Sequence, residues 1–544
     1  MPYHGHLAAD GPRLASSLGE PPTEPFNDPD AVEAYVDPRG MAAEPRSDSL
    51  DTQTATGVPG LDELLHGGLP THRLYLIEGV PGTGKTTLAM QFLLEGRKSG
   101  ERGLYVTLSE TTEELLSIAA SHGWSFDGID TFQLTPIANS LSEEYTLYHP
   151  AEIELSDLAK TVMERVEATH PTRVVFDSLS ELRLLAREPL RYRRQILGLK
   201  EFFANRRCTV LLLDDHSAGQ EDLQLRSLSH GVILLEHLPF EYGRARRRLR
   251  IVKLRGMAAT EGFHDFIITR GGLNVFPQLV SGNAERRDPS VAVKSGLPEL
   301  DTLLGGGLNW GTTTLFIGPA GVGKSTVSAQ YLCGAANPTT RAAVFLFDER
   351  RHTFVSRCDM LGMKASQRIA SGHLIVEQVE PGTTSPGEFS HRLRSLVDEH
   401  GIRLVAIDTL NGYLNAIPPV DTPIVRMHEL LSYLNERSVA TLIVLAQYGM
   451  LGASMPVPID LSYLADLIVM LRFFEASGTV RKAISVIKKR TGPHETNIRE
   501  LRIGPDRIRV GEPLTDFHGV LTGVPEYTGT SRPLLSEETS RARL

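Results

Sequence analysis

The sequence predicts an α/β protein built twice: two tandem domains, each a mostly parallel β-sheet flanked by helices. Three observations predict this. The two halves of the chain repeat one another. Each half alternates short β-branched runs with helical patterns. Each half also carries a glycine-rich G-x-x-x-x-G-K-[ST] stretch between such a run and a helical pattern: GVPGTGKTT, ending at Thr87, and GPAGVGKST, Gly318 to Thr326.

The repeat is collinear. GVPGLDELLHGGLP at 57–70 returns as SGLPELDTLLGGGL at 295–308. Lys85 and Lys324 are 239 residues apart, as are Gly68 and Gly307, and Glu110 and Glu349. A later pair, KLRG at 253–256 and KKRT at 488–491, keeps an offset of 235. Four blocks in one order point to duplication rather than chance. The expected organisation is a disordered tail over 1–51, a first domain over 52–283, a second over 284–511 and a C-terminal tail over 512–544. The polar stretch SGNAERRDPS, 281–290, reads as the linker. The first tail is rich in Pro, Asp, Glu, Ser and Ala and lacks apolar periodicity. In the last, Phe517, Val520, Leu521 and Val524 are candidates to dock on the body.

Within each half the elements follow in order. RLYLIEG (73–79) and TTTLFIG (312–318) read as strands entering the glycine-rich loops, and TLAMQFLLEG and TVSAQYLCGA as the helices leaving them. GLYVTLSE and AVFLFDE are the next strands, followed by RVVFDS and LVAIDT, then TVLLLDD and ATLIVLAQ. Runs this uniformly apolar suit strands covered on both faces, hence parallel ones.

Composition is that of a globular protein: 41% hydrophobic and 22% charged residues over 544 positions. A net charge of −10 gives no general attraction to nucleic acid. The three cysteines, Cys208, Cys333 and Cys358, form no C-x-x-C pair, which argues against a zinc ribbon or a disulfide framework and suits a reducing cytoplasm. The N-terminal residues show no basic segment followed by an apolar run, and no stretch of about 18 apolar residues occurs. A cytoplasmic protein is expected.

The glycine-rich stretches carry the first chemistry. Glycines let the backbone wrap closely round phosphates and present its N–H groups with a helix N-terminus. Gly79, Gly82, Thr83, Gly84, Lys85, Thr86 and Thr87 form the first such loop; Gly318, Gly321, Val322, Gly323, Lys324, Ser325 and Thr326 form the second. Lys85 and Lys324 are expected to reach the terminal phosphates of ATP, and Thr86 and Ser325 to hold Mg²⁺. Asp177 and Asp408 end the runs RVVFD and LVAID, the place for a carboxylate that serves the same ion, or that caps a turn.

Hydrolysis needs a group to orient or deprotonate the nucleophile. Ser109-Glu110 and Asp348-Glu349 end equivalent strands, so Glu110 and Glu349 are the candidate bases, with Asp348 a second acid in the later half. The alternative is helix capping, since SETTEE is good capping sequence. Lys253 and Arg255, like Lys488 and Arg490, alternate along a strand and so share a face. They could reach a neighbouring subunit's γ-phosphate or form a solvated face. The basic run GRARRRLR, 243–250, could serve as a nucleic-acid patch, a solvated hairpin edge or a contact for an acidic protein.

Together these residues resemble the KaiC family, within the RecA-like group of hexameric ATPases. The resemblance covers about 52–511 and is carried by GVPGLDELLHGGLP, GVPGTGKTTLAMQFL, YVTLSETTEELLSIAASHGW, RVVFDSLSEL and IVKLRG. In the second half it is carried by SGLPELDTLLGGGL, GPAGVGKST, LFDERRHTF, AIDTLNGYL, ADLIVMLRFFE and AISVIKKR. It implies a homo-hexamer of two stacked rings with ATP and Mg²⁺ at subunit interfaces, and the lysine–arginine pairs become contacts to the adjacent nucleotide. It implies a slow ATPase in the first ring, a serine/threonine autokinase in the second, and KaiB-like or other regulatory protein partners. Paired acids follow the second strand of each domain in the family; here the first pair is Ser109-Glu110. The family's consecutive serine and threonine phosphoacceptors fall on Ser462 and Tyr463, so Ser462 is the candidate acceptor, with Glu349 as its base; the alternative is that Ser462 caps the turn after PVPID. Two other functions fit parts of the pattern: a RecA-like DNA-dependent ATPase, and a nucleotide-gated scaffold with negligible turnover.

Overall fold

The computed structural model describes residues 52–134, 150–186, 188–215, 223–239, 243–279, 292–415, 423–447, 449, 461–476, 478–521 and 526–529. The expected N-terminal tail, the linker at 281–290, the PVPID segment and Val524 lie outside the described residues.

Each half forms one nine-stranded sheet. In the first, six parallel strands run side by side in the order Ile129–Gln133, Gly103–Thr107, Arg173–Asp177, Thr209–Asp215, Leu74–Gly79 and Gly231–Leu238. Three antiparallel strands, Arg246–Leu254, His264–Thr269 and Gly272–Phe276, extend that last edge. The second sheet repeats this order with Leu374–Gln378, Arg341–Leu346, Ile402–Asp408, Ala440–Ala446, Thr313–Gly318 and Leu467–Ala476. Thr479–Lys489, Arg499–Ile503 and Ile508–Pro513 complete it antiparallel. Helices such as Lys85–Lys98 and Lys324–Ala335 cover the sheets. These are the tandem α/β domains of RecA type that the sequence predicts.

The uniformly apolar strands are buried on both faces: all six residues of Leu74–Gly79 and all five of Arg173–Asp177 are buried. Parallel strands place every carboxyl end at one edge of the sheet. The glycine-rich loops, Asp177, Asp408 and the Glu110 and Glu349 segments therefore converge there, as ligand sites of open α/β sheets do.

Two of the expected strands, GLYVTLSE and AVFLFDE, run three residues too long. They close at Thr107 and Leu346, before Ser109-Glu110 and Asp348-Glu349. In the first half the Thr107 hydroxyl accepts from the Glu110 N–H (3.0 Å) and donates to its carbonyl (2.9 Å), turning the chain off the sheet.

The halves touch through the first half's antiparallel extension. Asp265 accepts the Gly387 N–H at 2.8 Å, at the start of helix Pro386–Asp398, and Arg394 of that helix pairs with Glu63 at 2.7 Å. The basic run belongs to this contact. Arg246 is buried and donates to the Pro381 carbonyl at 2.7 Å, while Arg248 pairs with Glu236 across the hairpin at 2.6 Å. Its arginines are thus committed partly within the molecule. Beyond residue 511, Phe517 and Val520 pack with Leu514 against Phe474, as their apolar character suggested.

Candidate nucleotide sites

The two phosphate loops are built alike. Gly84 and Gly323 precede their helices with φ of 108° and 115°, a left-handed conformation that favours glycine. A Cβ on Gly84 would stand 2.6 Å from Ile268 Cδ1, and one on Gly323 would stand 2.6 Å from Ile503 Cδ1. A Cβ on Gly82 or Gly321 would meet no protein atom closer than 4.0 Å, so these positions face the open cradle. Thr83 and Val322 are fully buried beneath the loops. Lys85 Nζ donates to the Gly79 carbonyl (2.8 Å) and Lys324 Nζ to that of Gly318 (2.8 Å).

Beside each lysine, hydroxyl and carboxylate meet. Thr86 Oγ1 lies 3.2 Å from Asp177 Oδ2, and Ser325 Oγ lies 2.9 Å from Asp408 Oδ1. A hydroxyl and a carboxylate are hard oxygen donors, the set that Mg²⁺ takes. Burial raises both carboxyls, Asp408 to about 6. Asp177 also accepts from the Tyr105 hydroxyl at 2.6 Å, which favours its ionised form. The second half has Val344 at the place of Tyr105, with no hydroxyl to offer.

The candidate bases sit differently. Helix Thr112–Ser121 is capped by Thr111 and Glu114, which form a complete capping box. The capping alternative for Glu110 is thereby answered by its neighbours. The Glu110 carboxyl is raised, first by burial and then by the charges of Glu114 and Asp177. In the second half Arg357, two helical turns on, grips both oxygens of Glu349 at 3.1 and 2.7 Å and reaches Thr326 Oγ1 at 3.1 Å. Thr87, the counterpart of Thr326, instead faces His122 Nε2 at 3.4 Å. Asp348 accepts a hydrogen bond from Thr409.

The remaining candidates lie elsewhere. Lys253 donates to the carbonyls of Arg226 (2.5 Å) and Ser229 (2.7 Å), and Arg255 to that of Ser227 (3.0 Å). Lys488 donates to Ser462 (2.7 Å) and Ala465 (2.8 Å), and Arg490 to Tyr463 (2.7 Å). The two clamps are the same construction, each closing the turn before a strand parallel to the phosphate-loop strand. The pairing of Thr314 with Leu467 puts Ser462 at the amino ends of the strands. At about 3.3 Å per residue, it is roughly 15 Å or more from the chain's own phosphate loop. Ser462 and Glu349, expected from the sequence to act as acceptor and base, therefore do not meet within one chain. Ser462 is exposed. The first clamp holds Arg226 at the equivalent place, and that arginine pairs with the buried Glu78 at 2.8 Å.

Sequence reasoning missed Arg357, Tyr105 and Asp215. Asp215 forms a 2.7 Å ion pair with Lys85. A signal for it existed: the matching runs TVLLLDD and ATLIVLAQ differ at their ends.

Comparison with known proteins places these sites in context. A family model described as "ATPase: KaiC" matches twice, over residues 54–280 and 293–515. The circadian clock protein KaiC3 of Synechocystis sp. is 26% identical over 490 residues, covering 88% of this chain and 95% of that protein. The circadian clock oscillator protein KaiC of Parasynechococcus marenigrum is 26% identical over 504 residues, covering 90% and 97%. That of Synechococcus elongatus is 26% identical over 488 residues, covering 86% and 91%.

Proposed function

The chain belongs to the KaiC ATPase family, and on that premise we propose that it binds Mg-ATP in both halves, hydrolyses it, and phosphorylates itself on Ser462. The functional units are 52–283 and 284–511, joined near 281–290, with tails over 1–51 and 512–544. Lys85 with Thr86 and Thr87, and Lys324 with Ser325 and Thr326, take the phosphates. Thr86 with Asp177, and Ser325 with Asp408, hold Mg²⁺, which when bound offsets negative charge on the phosphates.

In the first half Glu110 accepts a proton from water as the water oxygen bonds to the γ-phosphorus. The bond from that phosphorus to the bridging oxygen breaks, and ADP leaves. In the second half the nucleophile is the Ser462 hydroxyl of another copy. Its Oγ bonds to the γ-phosphorus, ADP leaves, and Glu349, assisted by Asp348, takes the hydroxyl proton.

The observation that carries this reading is the clamp. Lys488 and Arg490 close the turn that bears Ser462, at the sheet edge far from the chain's own phosphate loop. Acceptor and cations thus travel together, which supports their meeting a second copy's nucleotide as an arginine finger does. Lys253 and Arg255 repeat the device where Arg226 replaces the acceptor. A ring of six copies closes such head-to-tail contacts. Regulatory partners are of the KaiB-like kind, and the location is the cytoplasm; no described helix is long and apolar enough to cross a membrane.

The test is incubation of the full chain with Mg-ATP, followed by phosphopeptide mass spectrometry and sedimentation. Phosphate on Ser462 in a six-copy particle is expected. Mixing a Ser462→Ala chain with a Lys324→Ala chain should restore phosphate to the latter's Ser462.

A further inference from the structure

The phosphate-loop lysines have unequal neighbours. Strand pairing aligns the halves residue by residue here. Gly79 pairs with Asp215 and Gly318 with Ala446, so Asp215 and Ala446 occupy one position on the strand beside the phosphate loop. Asp215 Oδ1 lies 2.7 Å from Lys85 Nζ, and the lysine side chain is only 8% exposed. The Asp215 N–H donates to Ser180 Oγ at 3.1 Å, which fixes the backbone behind the carboxylate. The adjoining Asp214 is buried and committed to Arg183 at 2.6 Å, so it does not compete for Lys85. Lys324 makes the same carbonyl contacts, to Gly318 (2.8 Å) and Pro319 (2.7 Å), but Ala446 brings no charge to it.

We propose that Asp215 is a positioning residue of the first site: its ion pair with Lys85 must be displaced by an incoming phosphate, so the first phosphate loop binds nucleotide more weakly than the second. A lysine ammonium offers three donors but one charge. Triphosphate binding at Lys85 therefore exchanges one anion for another and leaves Asp215 near the added negative charge. At Lys324 the phosphate meets a cation whose contacts are neutral carbonyls. The two sites then fill in sequence as nucleotide rises, the second before the first.

The proposal rests on both loops binding nucleotide, and the experiment separates the two claims. Mg-ATP binding to the full-length chain is measured by calorimetry at pH 7. A Lys324→Ala background isolates the first site and a Lys85→Ala background the second. Asp215→Asn, nearly isosteric, should tighten the first site by about twofold to fivefold, the scale of a partly exposed ion pair read as affinity. The reciprocal Ala446→Asp should weaken the second site by a similar factor, a change that a purely structural role for Asp215 does not predict. A first site unchanged or weakened by Asp215→Asn overturns the proposal whatever Ala446→Asp does. Undiminished binding in the Lys85→Ala, Lys324→Ala double variant would instead remove the nucleotide reading itself.

Discussion

In the first half Lys85 leans on Asp215, Asp177 accepts from Tyr105, and the clamp of Lys253 and Arg255 holds an arginine committed to Glu78. In the second half the position of Asp215 is Ala446, Glu349 is gripped by Arg357, and the equivalent clamp presents Ser462. The loops between these features are nearly interchangeable, down to the carbonyls their lysines touch. The comparison teaches that a duplicated scaffold is specialised by residues one contact away from the shared motif. Function resides in the site built on a fold, not in the fold.

The largest expected effect breaks the comparison at its bases. Glu110→Gln should cut phosphate release by about a thousandfold or more, within the weight of a positioned base, and leave Ser462 phosphorylation in place. Glu349→Gln should do the reverse. Equal loss of both activities in either variant, read by phosphate release and mass spectrometry, would mean that the halves do not divide the chemistry.

Removal of the second clamp's cations, Lys488→Ala with Arg490→Ala, should lower Ser462 phosphorylation by about a thousandfold if they act as charge-stabilising fingers. The matching change at Lys253 and Arg255 should act on hydrolysis instead. A phosphorylation rate untouched by the first pair would confine those residues to holding the turn.

The pH profile sharpens the contrast at the carboxylates and lysines. Asp408 must be ionised to hold a cation, and its carboxyl is pushed up to about 6. Second-half activity should therefore fall as pH drops through about 6. Burial also lowers Lys324 to about 8, so nucleotide affinity at the second loop should weaken as pH rises above that value and the lysine loses its charge. Titration of the Lys85→Ala chain by calorimetry across pH 5–9 checks both limbs; an affinity flat above 8 would contradict the second.

The smallest expected effect concerns Arg357. A carboxylate with both oxygens occupied by a guanidinium is a poor proton acceptor. Arg357→Leu should raise ATP turnover at the second site several-fold in single-turnover assays. A fall would show that the arginine aims Glu349 instead of restraining it.

Much of this is legible in the sequence because it is local or repeated. The phosphate loops are contiguous, Asp177 and Asp408 end unmistakable apolar runs, and the constant 239-residue offset alone brings the halves into register. The ion pair of Lys85 with Asp215 is not legible, because it forms only when segments 130 residues apart in number lie side by side. Glu349 and Arg357 are close in sequence, yet their meeting depends on how the chain turns off the sheet into helix Arg351–Met360. The capping motif is visible in SETTEE, but its owners are Thr111 and Glu114. The separation of Ser462 from Glu349 follows from strand direction, which no single motif carries.

The central claim is that one half hydrolyses ATP while the other transfers phosphate to Ser462. Phosphopeptide mapping of the wild-type chain after incubation with Mg-ATP tests it most directly. The account predicts phosphate on Ser462, lost in Glu349→Gln and kept in Glu110→Gln. A chain that hydrolyses ATP and carries no phosphate on Ser462 would contradict it.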